Sequence, residues 1–124
     1  MPVRSLNSSV FKWPDRHEVD AAAREWAQRL ARERQDVLRV GYIGSYARGD
    51  WGVGSDLDLV VILERCDEPY LTRTLEQDTG GIPVPVDVLP YTTGEWQELA
   101  AQGRRFYRTV ESEAVWVYER GQDS

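Results

Sequence analysis

The amino-acid sequence predicts a mixed fold, either α/β or α+β, in which helices flank a mostly mixed β-sheet. Three observations lead to this prediction. Helical and strand patterns alternate along the chain, residues 56–63 form a nearly continuous run of Leu, Val and Ile, and no repeat or polar linker interrupts the order. A run of that kind is typical of a buried strand with a neighbouring strand at each edge.

The first predicted element is an amphipathic helix over residues 16–35. Apolar side chains recur at helical spacing between residues 19 and 30. Asp15 precedes Glu18 by three residues, an arrangement that favours capping at the start of a helix. We expect Trp26 to lie in the core and the arginines of this helix to form a solvated face.

The next segment predicts a strand, a tight turn and a loop. β-Branched and aromatic residues at 37–43 indicate a strand that stops at Gly44. The sequence Gly44-Ser45-Tyr46-Ala47-Arg48-Gly49 then predicts a tight turn into a short helix, which Ser45 can cap. A glycine-punctuated loop leads from there to the apolar strand at 56–63.

Four further elements are predicted in the remainder of the chain: a helix at 68–78, a strand at 82–89, a helix at 94–110 and a strand at 114–118. Pro83 and Pro85 place the strand at 82–89 towards a sheet edge, because proline has no N–H to donate. Thr92 or Thr93 can cap the helix that follows.

Size and charge limit the class of protein. A chain of 124 residues can close one core, so we expect a single domain over 1–124, with a central region at about 37–89 and a C-terminal helix and strand at about 94–119. The net charge of −6 argues against direct binding of nucleic acid, whose partners usually carry excess Lys and Arg. An acidic protein can still hold a polyanionic nucleotide where metal ions bridge the two.

The compartment follows from what the sequence lacks. The start of the chain has no apolar run of signal-peptide length, and no segment approaches the ~20 apolar residues that span a bilayer. The only cysteine, Cys66, has no partner for an internal disulfide. We therefore expect a cytoplasmic protein without a membrane span.

Two carboxylates stand at the start of the apolar strand. Alternation along a strand puts Asp56 and Asp58 on the same face, roughly 7 Å apart. They repel each other and lose hydration unless a positive group lies between them. Mg²⁺ is the simplest such group, since it prefers oxygen ligands and is commonly held by one or two carboxylates together with substrate phosphates.

A third acid, Asp87, lies between two valines of the predicted strand at 82–89. If that strand neighbours the one at 56–63, Asp87 completes a cluster of three carboxylates. Taken alone, an Asp-x-Asp pair is more typical of a solvated loop or a helix cap, and a single strand residue such as Asp87 is more typical of a sheet edge that faces water. The order of the motifs along the chain is what favours a metal site formed by Asp56, Asp58 and Asp87.

The Gly-Ser turn offers a place for phosphates. Glycine lets the backbone approach a ligand closely, and the start of the following helix presents free N–H groups to anions. Ser45 adds a hydroxyl donor to Gly44. Arg48, one turn further on, can either contact a phosphate oxygen or face solvent.

Taken together, Gly44-Ser45-Tyr46-Ala47-Arg48-Gly49 and the later Ser55-Asp56-Leu57-Asp58-Leu59 resemble the signature of the polymerase-β-like nucleotidyltransferase superfamily. The short chain is most similar to its minimal nucleotidyltransferase branch. The resemblance implies a mixed-sheet nucleotidyltransferase fold in which Gly44 and Ser45 contact a triphosphate and Asp56 and Asp58 bind two Mg²⁺ ions. It also implies that Asp87 is the third acid, which helps to bind one metal and to activate the attacking hydroxyl.

The resemblance implies a reaction and a partner. The reaction is transfer of a nucleoside monophosphate, AMP from ATP, to a hydroxyl of a protein or small molecule. Minimal nucleotidyltransferases often occur beside a helical protein of the HEPN type, in pairs that resemble toxin–antitoxin modules. The chain is thus expected to be the antitoxin, either modifying its partner or, as a non-catalytic nucleotide-binding module, occluding it.

Aromatic residues crowd the end of the chain, at Phe106, Tyr107, Trp116 and Tyr118. Aromatic side chains are enriched at interface hot spots, so a partner surface is one interpretation. Core packing is the interpretation that we favour, because alternating aromatic and aliphatic residues are expected in any half-buried strand.

Overall fold

A computed structural model describes residues 13–66 and 78–121 of the chain. The described elements, in chain order, are α1 (Arg16–Glu33), β1 (Val37–Ile43), α2 (Ser45–Arg48), β2 (Leu57–Leu63), β3 (Val86–Thr92), α3 (Thr93–Ala101), α4 (Arg105–Glu113) and β4 (Val115–Glu119). Apart from Asp78, the helix predicted at 68–78 lies outside these residues. None of the described helices is long and apolar enough to cross a membrane.

The described strands form one four-stranded sheet in the order β3-β2-β1-β4. β1 is antiparallel to both β2 and β4, whereas β2 is parallel to β3. The expected mixed sheet is therefore confirmed. β2 is flanked by a strand on each side, as its apolar run predicts. A central strand that is covered on both faces is shielded from water, so nearly all of its side chains can be apolar.

Helices cover both faces of the sheet. One core cluster joins α1 to the side chains of Val40, Tyr42, Leu57, Leu59 and Val61. A second cluster joins α3 and α4 to the opposite face, where Ile43, Val60 and Ile62 point. Because side chains alternate along a strand, β2 contributes to both clusters.

The helix α1 begins as predicted. Asp15 is its N-cap residue, and the carboxylate Oδ1 accepts a hydrogen bond of 2.9 Å from the backbone N–H of Glu18. Trp26 is fully buried, as expected. The helix ends at Glu33, two residues before the predicted end, because Arg34 already has extended backbone angles.

The single helix predicted at 94–110 is wrong, since two helices occupy this region. Gly103 has a φ of +65°, which ends the first helix in a left-handed residue. The N–H of Arg104 bonds to the carbonyl of Leu99, and that of Gly103 bonds to Ala100, which together form a Schellman cap. At the other end, Thr92 caps α3 in a reciprocal capping box with Glu95.

The strand predicted at 82–89 is displaced along the chain. β3 begins at Val86, where pairing with Leu57 starts, and continues to Thr92 through Pro90. Ile82 is buried outside the strand, so its apolar character reflects packing rather than pairing. β3 lies at a sheet edge, as the prolines indicate, and an edge is where a strand tolerates a residue without an N–H.

Smaller differences concern the other ends. β2 starts at Leu57 rather than at residue 56, and β4 covers Val115–Glu119 rather than 114–118. The aromatic residues near the end of the chain pack against the two core clusters, as favoured: Phe106, Tyr107 and Trp116 against the second, Tyr118 against the first.

Candidate active site

Three carboxylates meet at one end of the sheet. Asp56 directly precedes β2, Asp58 is the second residue of β2, and Asp87 is the second residue of β3. Asp58 and Asp87 stand opposite each other in the parallel register. One carboxylate oxygen of each residue lies within 4.8 Å of those of the other two. The structure thus brings together the three acids that the sequence indicated.

The side-chain alternation of β2 explains this placement. Leu57 and Leu59 point into the core beneath α1 and are fully buried. Asp58 lies between them and points to the other face, the one that Val60 and Ile62 share. The acids therefore occupy the open end of the sheet face that α3 and α4 cover further along.

Electrostatic repulsion acts within this cluster. Asp56 and Asp87 are exposed, whereas Asp58 is partly buried. Burial raises the pKa of Asp58, and the negative charges of Asp56 and Asp87 raise it further. Convergent oxygen ligands with excess negative charge are the donor set that Mg²⁺ and similar divalent cations prefer. The three residues fit such an ion by the chemistry and spacing of their oxygens.

Gly44 has a backbone that only glycine adopts readily. Its φ of 97° and ψ of −156° belong to a region that is essentially closed to residues with a Cβ. Gly44 follows Ile43, the residue paired with Asp58. A Cβ built on Gly44 would lie 3.8 Å from Oδ2 of Asp58. The turn therefore passes directly beside the carboxylates.

The prediction that Ser45 caps the short helix is wrong. Gly44 is the N-cap residue of α2, and no side chain provides a capping hydrogen bond. Ser45 is instead the first helical residue. The first N–H groups of a helix have no intrahelical acceptor, so the Gly44-Ser45 turn presents donors at the start of α2.

Arg48 faces acids other than the three of the cluster. Its Nε lies 3.3 Å from Oδ2 of Asp50, and its Nη1 lies 3.9 Å from Oε1 of Glu113. The side chain is about half exposed, so these ion pairs are weak and can exchange with another anion. Contact with a phosphate remains a prediction for this residue.

Two structural supports of the site escaped the sequence reasoning. Tyr46 is buried, its hydroxyl donates a 2.8 Å hydrogen bond to the carbonyl of Pro14, and its ring stacks on Trp51. Ser55 accepts a 2.9 Å hydrogen bond from the N–H of Gly52. Together these contacts hold the loop that joins α2 to β2. The aromatic residues within this glycine-rich stretch were the available signal.

Three convergent carboxylates beside a glycine turn can hold divalent metal, and many enzymes that act on phosphate esters have a site of this kind. The comparisons with known proteins identify the class more narrowly. Residues 23–117 match the family model described as the nucleotidyltransferase domain. The chain therefore belongs to the nucleotidyltransferase domain family and is a nucleotidyltransferase.

Solved structures share the fold. A protein from Sulfolobus solfataricus, described as a nucleotidyltransferase, superposes with a TM-score of 0.62 at 20% identity, over 98% of this chain and 93% of that one. A structure described as a toxin–antitoxin with AMP-PNP gives a TM-score of 0.56 at 17% identity, over 81% of this chain and 76% of that one. No curated protein matches the sequence significantly.

Proposed function

We propose that the protein transfers AMP from ATP to a hydroxyl group of a protein or small molecule, in a reaction that depends on Mg²⁺. The observation that carries the proposal is the convergence of Asp56, Asp58 and Asp87, whose carboxylate oxygens lie within 4.8 Å of one another. Membership of the nucleotidyltransferase domain family supports a nucleotide as the substrate.

In the proposed reaction, the acceptor oxygen bonds to the α-phosphorus of ATP as the bond from that phosphorus to pyrophosphate breaks. Two Mg²⁺ ions held by Asp56, Asp58 and Asp87 would neutralise charge on the attacking and leaving oxygens. Asp87 is exposed and stands across from Asp58. This exposed position supports the proposal that Asp87 accepts the hydroxyl proton as the acceptor approaches from solvent.

The triphosphate is proposed to lie along the Gly44-Ser45 turn. Gly44 has no side chain to block a phosphate, and the start of α2 offers N–H donors and the Ser45 hydroxyl. Arg48, one turn further on, would leave Asp50 and Glu113 for the phosphate, which carries more charge and binds a guanidinium more strongly.

The proposed biological setting is the cytoplasm, as the antitoxin of a HEPN-type toxin. Support comes from the resemblance to minimal nucleotidyltransferases and from the shared fold with a structure described as a toxin–antitoxin with AMP-PNP. In this setting the acceptor hydroxyl belongs to the toxin. A non-catalytic antitoxin that occludes its toxin is the second candidate, and the same fold similarity favours it equally.

The test is transfer of label from ATP labelled at the α-phosphate, with and without Mg²⁺, to a co-expressed helical protein. We expect the wild type to label it and Asp58→Asn to lower the rate at least ~100-fold, since loss of a metal ligand should exceed the ~10–100-fold effect of changing a residue that only orients the ligands. Asp36→Asn is the matched control. Asp36 directly precedes β1, whereas the candidate active site lies at the other end of that strand. If the wild type and Asp58→Asn both bind the helical partner and neither transfers label, the occluding function replaces the proposed transfer reaction.

A further inference from the structure

Two clefts follow one another along the seam between α1 and the edge strand β4. The first, of about 500 Å³, is lined by Arg16, His17, Asp20, Arg24 and Val115. The second, of about 300 Å³, is lined by Gln28, Ala31, Arg32 and Tyr118. Both clefts have α1 as one wall and β4 as the other. We call this surface the α1–β4 seam.

The seam borders an open sheet edge. β4 stands last in the strand order, and within residues 13–66 and 78–121 it pairs only with β1. The outer N–H and C=O groups of such a strand are a template for another extended chain. An added strand would lie beside the flank of α1, because α1 packs over β4 and β1.

The seam is basic although the whole chain carries a net charge of −6. Arg16 and Arg24 line the first cleft, Arg32 lines the second, and all three are exposed. Among the residues that line the two clefts the one acid is Asp20, which is already engaged by the Nε of Arg24 and the hydroxyl of Tyr42, each at 2.7 Å. Arg32 makes no ion pair within the described part of the chain. The charge left over is positive.

We propose that the α1–β4 seam binds an acidic, extended segment of another protein, which adds to the outer edge of β4. Its carboxylates would meet Arg16, Arg24 and Arg32, and its apolar side chains would cover Val115 and Tyr118. Arg16 and Arg32 lie about 24 Å apart along the helix, a length that about seven residues of strand span. This recognition combines backbone pairing for affinity with side-chain charge for specificity.

Charge and topology argue against other occupants. The first twelve residues of the chain carry Arg4 and Lys12 and no acid, so the seam would repel them. A second copy that pairs β4 with β4 about a twofold axis would bring the same arginine flank of α1 from both copies together. Single-stranded nucleic acid could bind the arginines through its phosphates, but it would leave the outer backbone groups of β4 without hydrogen-bond partners.

The seam is separate from the candidate active site. The seam lies on the α1 side of the sheet, whereas Asp58 points to the side that α3 and α4 cover. The proposal therefore does not depend on the transfer reaction. Asp58→Asn should abolish transfer and leave binding at the seam unchanged, which keeps failure of one proposal distinct from failure of the other.

The experiment uses a synthetic peptide of about eight residues that alternates Glu and Val, with a Lys–Val peptide as its charge control. Calorimetry measures binding to the full chain, and hydrogen exchange measures protection of the β4 amides. We expect the Glu–Val peptide alone to bind and to protect Val115–Glu119. Replacing Arg16, Arg24 and Arg32 together by Gln should weaken binding about tenfold, because the exposed cations that attract the peptide carboxylates are removed while Asp20 remains.

Arg29→Gln is the matched control on the same helix. Arg29 pairs with Glu25 and its Nη2 lies towards Gly81, away from β4, so binding should not change. Equal binding of both peptides, no binding at millimolar concentration, or binding without protection of β4 would overturn the proposal. Tighter binding of a single-stranded RNA, or a dimer in sedimentation that the arginine changes do not affect, would replace it with a different occupant.

Discussion

The two faces of β2 differ in what they do for the molecule. On one face Leu57, Leu59, Val61 and Leu63 are fully buried beneath α1. On the other face Asp58 precedes Val60 and Ile62, so the buried row ends in a carboxylate beside Asp56 and Asp87. One strand of seven residues thus contributes stability with one face and holds the candidate site with the other. Substitutions on the two faces should therefore separate stability from activity.

The largest expected effect is on the buried face. Leu59→Ala should lower the free energy of unfolding by about 2–5 kcal/mol, because it removes buried methyl groups and leaves a cavity. Urea unfolding measures the change. Val53→Ala is the control, since Val53 is 81% exposed and its truncation should stay within about 0.5 kcal/mol. Loss of transfer by folded Leu59→Ala at low temperature would contradict the separation of the two faces.

A smaller change is expected at the turn beside the acids. Gly44→Ala should cost about 1–3 kcal/mol, because alanine is strained at a φ of 97° and a ψ of −156°. It should also weaken ATP binding, measured by calorimetry. Gly52→Ala is the control, since Gly52 has no positive φ and no atom within 4 Å of an added Cβ. Equal ATP affinity of the two variants would place the phosphates elsewhere.

The contrast between the faces also explains how much of the fold the sequence revealed. The apolar run of β2 is typical of a strand buried between two others, so the sequence already indicated its central position in the sheet. The end of α3 was missed because the apolar pattern continues past Gly103, and only the positive φ of that glycine breaks the helix. β3 was displaced because Ile82 is buried without belonging to a strand.

The residues of the candidate site could be predicted from the sequence for a different reason. Alternation along an extended segment puts Asp56 and Asp58 on one face, so their proximity was a local prediction. Asp87 joins them only through the register of β3 on β2, which the sequence leaves open. The pairing of Arg48 with Glu113 depends on where the end of α4 lies, and no local pattern encodes that position.

Removing charge from the acid cluster should increase the stability of the fold, whereas Leu59→Ala should decrease it. Burial, with the charges of Asp56 and Asp87, raises the pKa of Asp58. Above that raised pKa the ionised carboxylate of Asp58 lowers the free energy of unfolding. This destabilisation disappears as the pH falls through the raised pKa and the carboxylate becomes protonated. Asp58→Asn should therefore raise the melting temperature at neutral pH in metal-free buffer. The gain should shrink in acid.

Magnesium provides the control for that change. Added Mg²⁺ should raise the melting temperature of the wild type by mass action and leave that of Asp58→Asn almost unchanged. A variant that melts lower than the wild type without metal would mean that the carboxylate makes a stabilising contact. The acid cluster would then be structural, and the distinction between the two faces of β2 would fail.

The smallest expected effect is at the opposite end of the sheet, where an acid is paired rather than crowded. Arg34 hydrogen bonds lower the pKa of Asp36 below its ordinary value of 3.8, against the opposing effect of burial. A lowered pKa stabilises the fold above the unfolded value, and the contribution is lost as the pH falls through the folded value. Asp36→Asn should thus cost less than about 1 kcal/mol at neutral pH and nothing in strong acid. Thermal unfolding across that pH range should give opposite signs for Asp36→Asn and Asp58→Asn, because one carboxylate faces an arginine and the other faces two carboxylates.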